Sequence, residues 1–196
     1  ESGLIIPVGK WIIQNAFSMC TECRKYYPEF RVSINLSYVQ ILKSPLMMEL
    51  KQMIEHSGIS CSGIIVELTE SGYLEGTPAV RSVWNDMKQL RIQIALDDFG
   101  TGYSNLMNIS NLEPDIVKLD RGFTLKALSR SYEYQLMQYV IEMVHKLNQY
   151  VCVEGVETKE DLEKIKALGP DLIQGYYYSK PCSRDEFLKK FFGYSE

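Results

Sequence analysis

Six residues able to bind cations or move protons recur at one kind of position in this sequence. Asn35, Glu67, Asp97, Lys118, Glu154 and Gln174 each stand at or near the C-terminal end of a different short apolar run that reads as a β-strand. Alternate residues of a strand face opposite sides, so Ser33 and Asn35 share a side, as do Ile65 and Glu67, Ala95 and Asp97, Ile116 and Lys118, Cys152 and Glu154, and Leu172 and Gln174. The residues between them, Val32, Ile34, Ile64, Val66, Ile94, Leu96, Val117 and Val153, are apolar and suit packing under helices. Converging carboxylates, an amide and an amine repel and desolvate one another unless positive charge sits among them. Hard oxygen donors without imidazole or thiolate favour magnesium or manganese over zinc. The adjacent Asp97 and Asp98 could bridge two such ions, the arrangement used for in-line attack on a phosphate ester. Any one of these residues alone reads more readily as a solvated turn position than as a site residue; six in the same phase argue for a site.

The elements that must position them alternate between a period near 3.6 and a period of 2. Strands are expected over 31–37, 64–70, 92–98, 116–120, 151–154 and 172–176. An opening helix with Val8, Trp11, Ile12, Ala16, Met19, Cys20 and Cys23 on one face is expected to close before Pro28. Ser44 and Pro45 suggest the start of a helix that buries Leu46, Leu50, Met53 and Ile54 and stops at Gly58. Val80, Val83, Trp84 and Met87 mark another helix. A long helix from about Tyr132 carries Leu136, Val140, Met143, Val144 and Leu147 on one face. Thr158 with Asp161, and Ser183 with Glu186, read as capping boxes of two further helices. Strands alternating with helices require crossover connections and hence parallel pairing. The fold class expected is α/β, a TIM-like (β/α) barrel, whose active sites lie at the C-terminal ends of the strands. The segment from Asp97 to Leu106 is neither a Walker loop nor a dinucleotide fingerprint; it reads as a plain connection or as a mobile loop carrying Asp97 and Asp98.

Composition narrows the classes. The 196 residues carry a net charge of -4, with no broad basic field for duplex nucleic acid. No run is long and apolar enough to span a membrane and no secretion signal opens the chain, so a cytoplasmic protein without membrane contact is expected. Five cysteines suggest reduced thiols; the Cys20-Thr21-Glu22-Cys23 pair sits in a helical pattern with no second pair to complete a zinc site. Two histidines, His56 and His145, exclude a site built on several imidazoles. The opening at Glu1, with an apolar segment close behind, suggests a chain that begins partway through a fold.

Read in order, Asn35-Leu36-Ser37, Glu67-Leu68-Thr69-Glu70-Ser71, the loop from Asp97, Lys118-Leu119-Asp120, Glu154-Gly155-Val156-Glu157-Thr158 and Gln174-Gly175-Tyr176 to Pro181 resemble the signatures of the EAL family of cyclic di-GMP phosphodiesterases. The resemblance implies that Asn35, Glu67 and Asp97 ligate a first Mg2+ or Mn2+, that Asp97, Asp98 and Glu154 ligate a second, and that Lys118 orients water with Glu154 as base. It further implies that Glu70 braces the loop after Asp98, that Gln174 supports the water network, and that cyclic di-GMP is cut to linear pGpG. The family strand bearing the glutamate-alanine-leucine motif and a nearby substrate-binding arginine, together with the family's first, antiparallel strand, belongs upstream of Gly3. Residues 1–196 are therefore expected to form one EAL-type barrel domain, incomplete for want of its first two strands and impaired in hydrolysis, and a homodimer is expected through the long helix. Asn105, Gly122 and Val153 stand where the family usually has serine, serine and alanine. The competing expectation is a catalytically inactive module that binds cyclic di-GMP or a protein; a barrel acting on another phosphate ester requires the six motifs to be unrelated.

Overall fold

The computed structural model describes residues 3–69, 77–101, 109 and 113–193. Their elements run α1 (Ile5–Cys23), β1 (Val32–Asn35), α2 (Tyr38–Lys43), α3 (Leu46–Ser57), β2 (Ile64–Thr69), α4 (Pro78–Gln89), β3 (Gln93–Phe99), β4 (Ile116–Leu119), α5 (Arg121–Ser129), α6 (Ser131–Lys146), β5 (Tyr150–Glu154), α7 (Lys159–Lys166), β6 (Leu172–Gln174) and α8 (Arg184–Phe192). The six strands lie in chain order in one sheet. The pairings of β1 with β2 and of β3 through β6 are parallel, as the strand–helix alternation requires. Two compact units share the chain: the first takes residues 3–68, 77–94 and 182–193, the second residue 69, 95–101, 109 and 113–181.

In the first unit α1 forms as expected, and Cys20 and Cys23 of the expected face are buried, but its first half turns a different face inward. It buries Gly9, Ile13, Phe17, Cys20 and Cys23, whereas Val8, Trp11 and Ile12 are exposed. Apolar residues surround most of this helix, so its neighbours choose the stripe. Gly9 leaves room for the buried amide of Gln40, which a Cβ would overlap. Gln40 belongs to α2, a helix not expected. Its capping box is plain in the structure: Ser37 Oγ accepts from Val39 N at 3.3 Å, and Gln40 Oε1 accepts from Ser37 N at 3.0 Å. Ser44 accordingly ends α2, donating to Gln40 O at 2.7 Å, and does not cap α3. The expected face of α3 is buried at Leu46, Leu50 and Met53, and that of α4 at Val80, Trp84 and Met87. Each fully buried side chain, such as Phe17, Leu50 or Met87, contributes about 1.5–3 kcal/mol. Helix α8 carries the expected Ser183–Glu186 box and sets Phe187 and Phe192 against Phe30, and Phe192 against Tyr26.

In the second unit Ile116, Val117 and Leu119 of β4 and Val151, Cys152 and Val153 of β5 are buried. Arg130, in an extended conformation, separates α5 from the expected long helix α6. That helix buries Met137, Ile141 and Val144, while Leu136 and Leu147 of the expected face are exposed. At the opposite end from the candidate site, Asp171 Oδ2 accepts from Val151 N at 2.8 Å and meets His145 Nε2 at 2.9 Å. Thr158 and Asp161 cap α7 reciprocally. Among the described residues no helix is long and apolar enough to cross a membrane.

Candidate active site at the strand ends

The second unit draws three of the expected residues together. Strand β3 runs beside β4 with Ala95 opposite Ile116 and Leu96 opposite Val117, and then slips, so that Phe99 stands opposite Leu119. Asp97 and Asp98 thus share the single position facing Lys118. This is a β-bulge: one extra residue is accommodated by Asp98 at φ +60°, a left-handed conformation costing a non-glycine residue about 1–3 kcal/mol. The extra residue places two aspartates in succession and returns Phe99 to the buried side. Lys118 Nζ lies 3.0 Å from Asp97 Oδ1 and 2.7 Å from Glu154 Oε1. The lysine is 5% exposed and Asp97 8%, so these charges are held largely out of water and depend on one another. Gln174 stands opposite Glu154 in register and is exposed.

Loops after successive strands interlock behind this cluster. Asp120 N donates to Phe99 O at 3.0 Å, and the Phe123 ring packs on Gly100, 3.0 Å from where a Cβ would stand. A Cβ on Gly155, whose φ is +80°, would overlap Arg121 Cγ and come within 3.1 Å of its Cα. A Cβ on Gly175 would overlap the backbone of Val156, whose N donates to Gln174 O at 3.2 Å and whose O accepts from Tyr177 N at 3.1 Å. Arg121 Nη2 and Nε reach Glu157 Oε1 at 2.7 and 3.2 Å. The hydrogen bond and the charge of Glu157 raise the guanidinium pKa further. Arg121 carried no expected role, because nothing in a lysine-leucine-aspartate-arginine run signals which turn it will lie across.

In the first unit Asn35 and Glu67 face each other in register on β1 and β2, and Leu36 N continues the ladder to Glu67 O at 2.9 Å. Residues directly opposite in a parallel pair lie on the same side of the sheet, so Asn35 and Glu67 share one side. Glu67 is buried and Asn35 exposed. Glu70 and Asn105 lie outside the described residues.

The donor chemistry around Asp97 suits a hard cation. Asp97 Oδ1 is buried and accepts no hydrogen bond; the approach of Lys118 Nζ is an ion pair without hydrogen-bond geometry. An anionic oxygen left in that state is suited to a metal ion. Among the described residues, however, no three histidine, cysteine, aspartate or glutamate side chains form a group that could hold one ion. Lys118 supplies the positive charge between Asp97 and Glu154. Cys20 and Cys23, like the other three cysteines, are free thiols.

A sequence profile of the EAL domain matches residues 1–181. The chain belongs to the EAL domain family. This EAL chain is 33% identical over 181 residues to the cyclic di-GMP phosphodiesterase PdeR of Escherichia coli, covering 92% of the chain and 27% of that relative. To the cyclic di-GMP phosphodiesterase PdeF of the same organism it is 31% identical, covering 92% of the chain and 24% of that relative. The solved structure of the EAL enzyme Bd1971, in its cAMP and cyclic-di-GMP bound form, superposes with a TM-score of 0.91 at 29% identity, covering 97% of this chain and 53% of that one. The chain spans about a quarter of the length of these curated relatives. Its fold is that of the EAL domains, a TIM-barrel-like arrangement of parallel strands and helices of which six strands are described here.

Proposed function

We propose that this EAL domain serves a phosphodiesterase that hydrolyses cyclic di-GMP to linear pGpG with two bound Mg2+ or Mn2+ ions, Asn35, Glu67, Asp97, Asp98 and Glu154 being the ligands. The family membership supports the substrate, and PdeR and PdeF are named for it. The observation that carries the reaction type is the contact of Lys118 Nζ with Glu154 Oε1 at 2.7 Å. An ammonium beside a carboxylate can hold a water by its oxygen while the carboxylate takes the proton. The water oxygen bonds to phosphorus as the bond to the ribose 3′ oxygen breaks, and that oxygen leaves with a proton. Bound metal ions would lower the pKa of water and neutralise charge on the phosphate. Gln174 orients the water, and Glu70 braces the loop after Asp98. Residues 1–196 act as one barrel domain in the cytoplasm, weaker in hydrolysis than the full-length protein and dimeric through the exposed Tyr132, Leu136 and Tyr139 of α6.

Incubating the full-length protein and the 196-residue chain with cyclic di-GMP and manganese, with pGpG followed by chromatography, tests the proposal. Glu154→Gln and Lys118→Ala are each expected to lower turnover about 10²–10⁴-fold. Absence of pGpG from the full-length protein would refute hydrolysis. A second reading, recognition of cyclic di-GMP without turnover, is favoured by Lys118, whose ammonium already supplies the positive charge between Asp97 and Glu154; equilibrium dialysis showing binding without product would establish it.

A further inference from the structure

The segment from Glu154 to Glu157 is tied to the segment from Lys118 to Arg121 at both ends. Glu154 meets Lys118 before the turn and Glu157 meets Arg121 after it, both at 2.7 Å, and each pair joins residues 36 apart in the chain (154 − 118 and 157 − 121). Between the two rungs stands Gly155 at φ +80° with the aliphatic stem of Arg121 pressed on the place a Cβ would fill. Glycine in this conformation rotates more freely than any other residue, and it is the first residue after the strand that carries Glu154. A strand-end carboxylate next to such a joint keeps its direction only if the far side of the joint is held.

We infer that Arg121 is a positioning residue for Glu154: its guanidinium, laid across Gly155 and bonded to Glu157, holds the turn so that the Glu154 carboxylate stays against the Lys118 ammonium. The pair is exposed, with side-chain accessibilities of 57% and 39%, and exposed pairs contribute little to global stability. Its loss should therefore leave unfolding nearly unchanged and loosen the strand end. The kinetic consequence rests on the phosphodiesterase reading; the geometric one does not.

The test compares Arg121→Ala, Arg121→Lys, Glu157→Gln and the double variant Arg121→Ala/Glu157→Gln. Arg184→Ala is the control, because it removes the exposed pair with Glu22 in the other unit. Acetylation of lysines by an N-hydroxysuccinimide ester, read by peptide mass spectrometry without metal or nucleotide, measures how well Lys118 is held. Labelling of Lys118 should rise about tenfold in Arg121→Ala and Glu157→Gln, less in Arg121→Lys and no further in the double variant. Lys126, Lys164 and the Arg184→Ala control should label as in the wild type. In manganese with cyclic di-GMP, kcat should fall about 10- to 100-fold with KM within about twofold, the signature of a displaced group rather than lost binding. If Arg121→Ala labels at every lysine and so has unfolded, the isosteric Glu157→Gln carries the test. Unchanged Lys118 labelling in a folded variant, or an equal rise in Arg184→Ala, overturns the inference. Unchanged kcat in an active protein overturns it as well. A wild type without turnover fails the function proposal alone and leaves the labelling result decisive.

Discussion

Apart from the buried carboxylate of Glu67 in the first unit, the two units bury their ionisable groups in opposite ways. The first holds Cys20 and Cys23 as neutral thiols: burial raises both pKa values, and at Cys23, where Cys20 and Glu22 add to it, the value is pushed up to about 11. The second buries an ammonium between two carboxylates. A neutral buried thiol needs no partner, whereas each charge of the cluster depends on the others, so a substitution within the cluster should do more damage than one at either thiol.

Removing the ammonium is expected to have the largest effect. Lys118→Met leaves Asp97 and Glu154 without their counter-charge and should lower unfolding free energy by about 3–5 kcal/mol in urea titration. A loss below about 1 kcal/mol would mean that the three charges are not interdependent. The thiols of the first unit should matter only in alkali. Because the folded fold favours protonated Cys23, stability is complete below pH 9, the ordinary thiol value, and declines by about 2 kcal/mol as pH rises toward 11. Denaturation at pH 8 and pH 10.5 should show this loss in the wild type and a smaller one in Cys23→Ala, where the raised thiol of Cys20 remains. The smallest change in stability is expected at Asn35, which is exposed at the end of β1: Asn35→Ala should shift stability by under about 0.5 kcal/mol. Under the proposed function the same variant should lose turnover, so an active Asn35→Ala protein would remove that residue from the ligand set.

Strands and helices differed in how far the sequence could be read. Strand parity needs only the alternation of residues: Ile34, Ile64, Val66, Ile94, Leu96, Val117 and Val153 are buried and Val32 is half-buried, while Ile65, Ala95, Ile116 and Cys152 of the other phase are buried as well, so both faces of these strands are covered. Helix faces were less certain where apolar residues nearly encircle the axis. In α1 the exposed Val8, Trp11 and Ile12 and the buried Ile13 and Phe17 are equally apolar, and the approach of Gln40 to Gly9 selects between them. In α6 Val144 is buried as expected, but Met137 and Ile141 are buried in place of the expected Leu136 and Val140, one residue round the axis. The capping box of Ser37 and Gln40 was legible by spacing, although α2 is only six residues long.

By itself, the order of residues determined that parallel strands alternate with helices, and that carboxylate, amide and amine side chains recur near the strand ends. Periodicity and side-chain chemistry are local properties that neighbours in the chain suffice to set. Only the tertiary structure decided that Asp97 and Asp98 share a bulge opposite Lys118, that Lys118 bridges Asp97 and Glu154, and that Arg121 lies across Gly155. Those facts depend on register between strands and on close backbone approach, which residues far apart in the chain settle together when they pack.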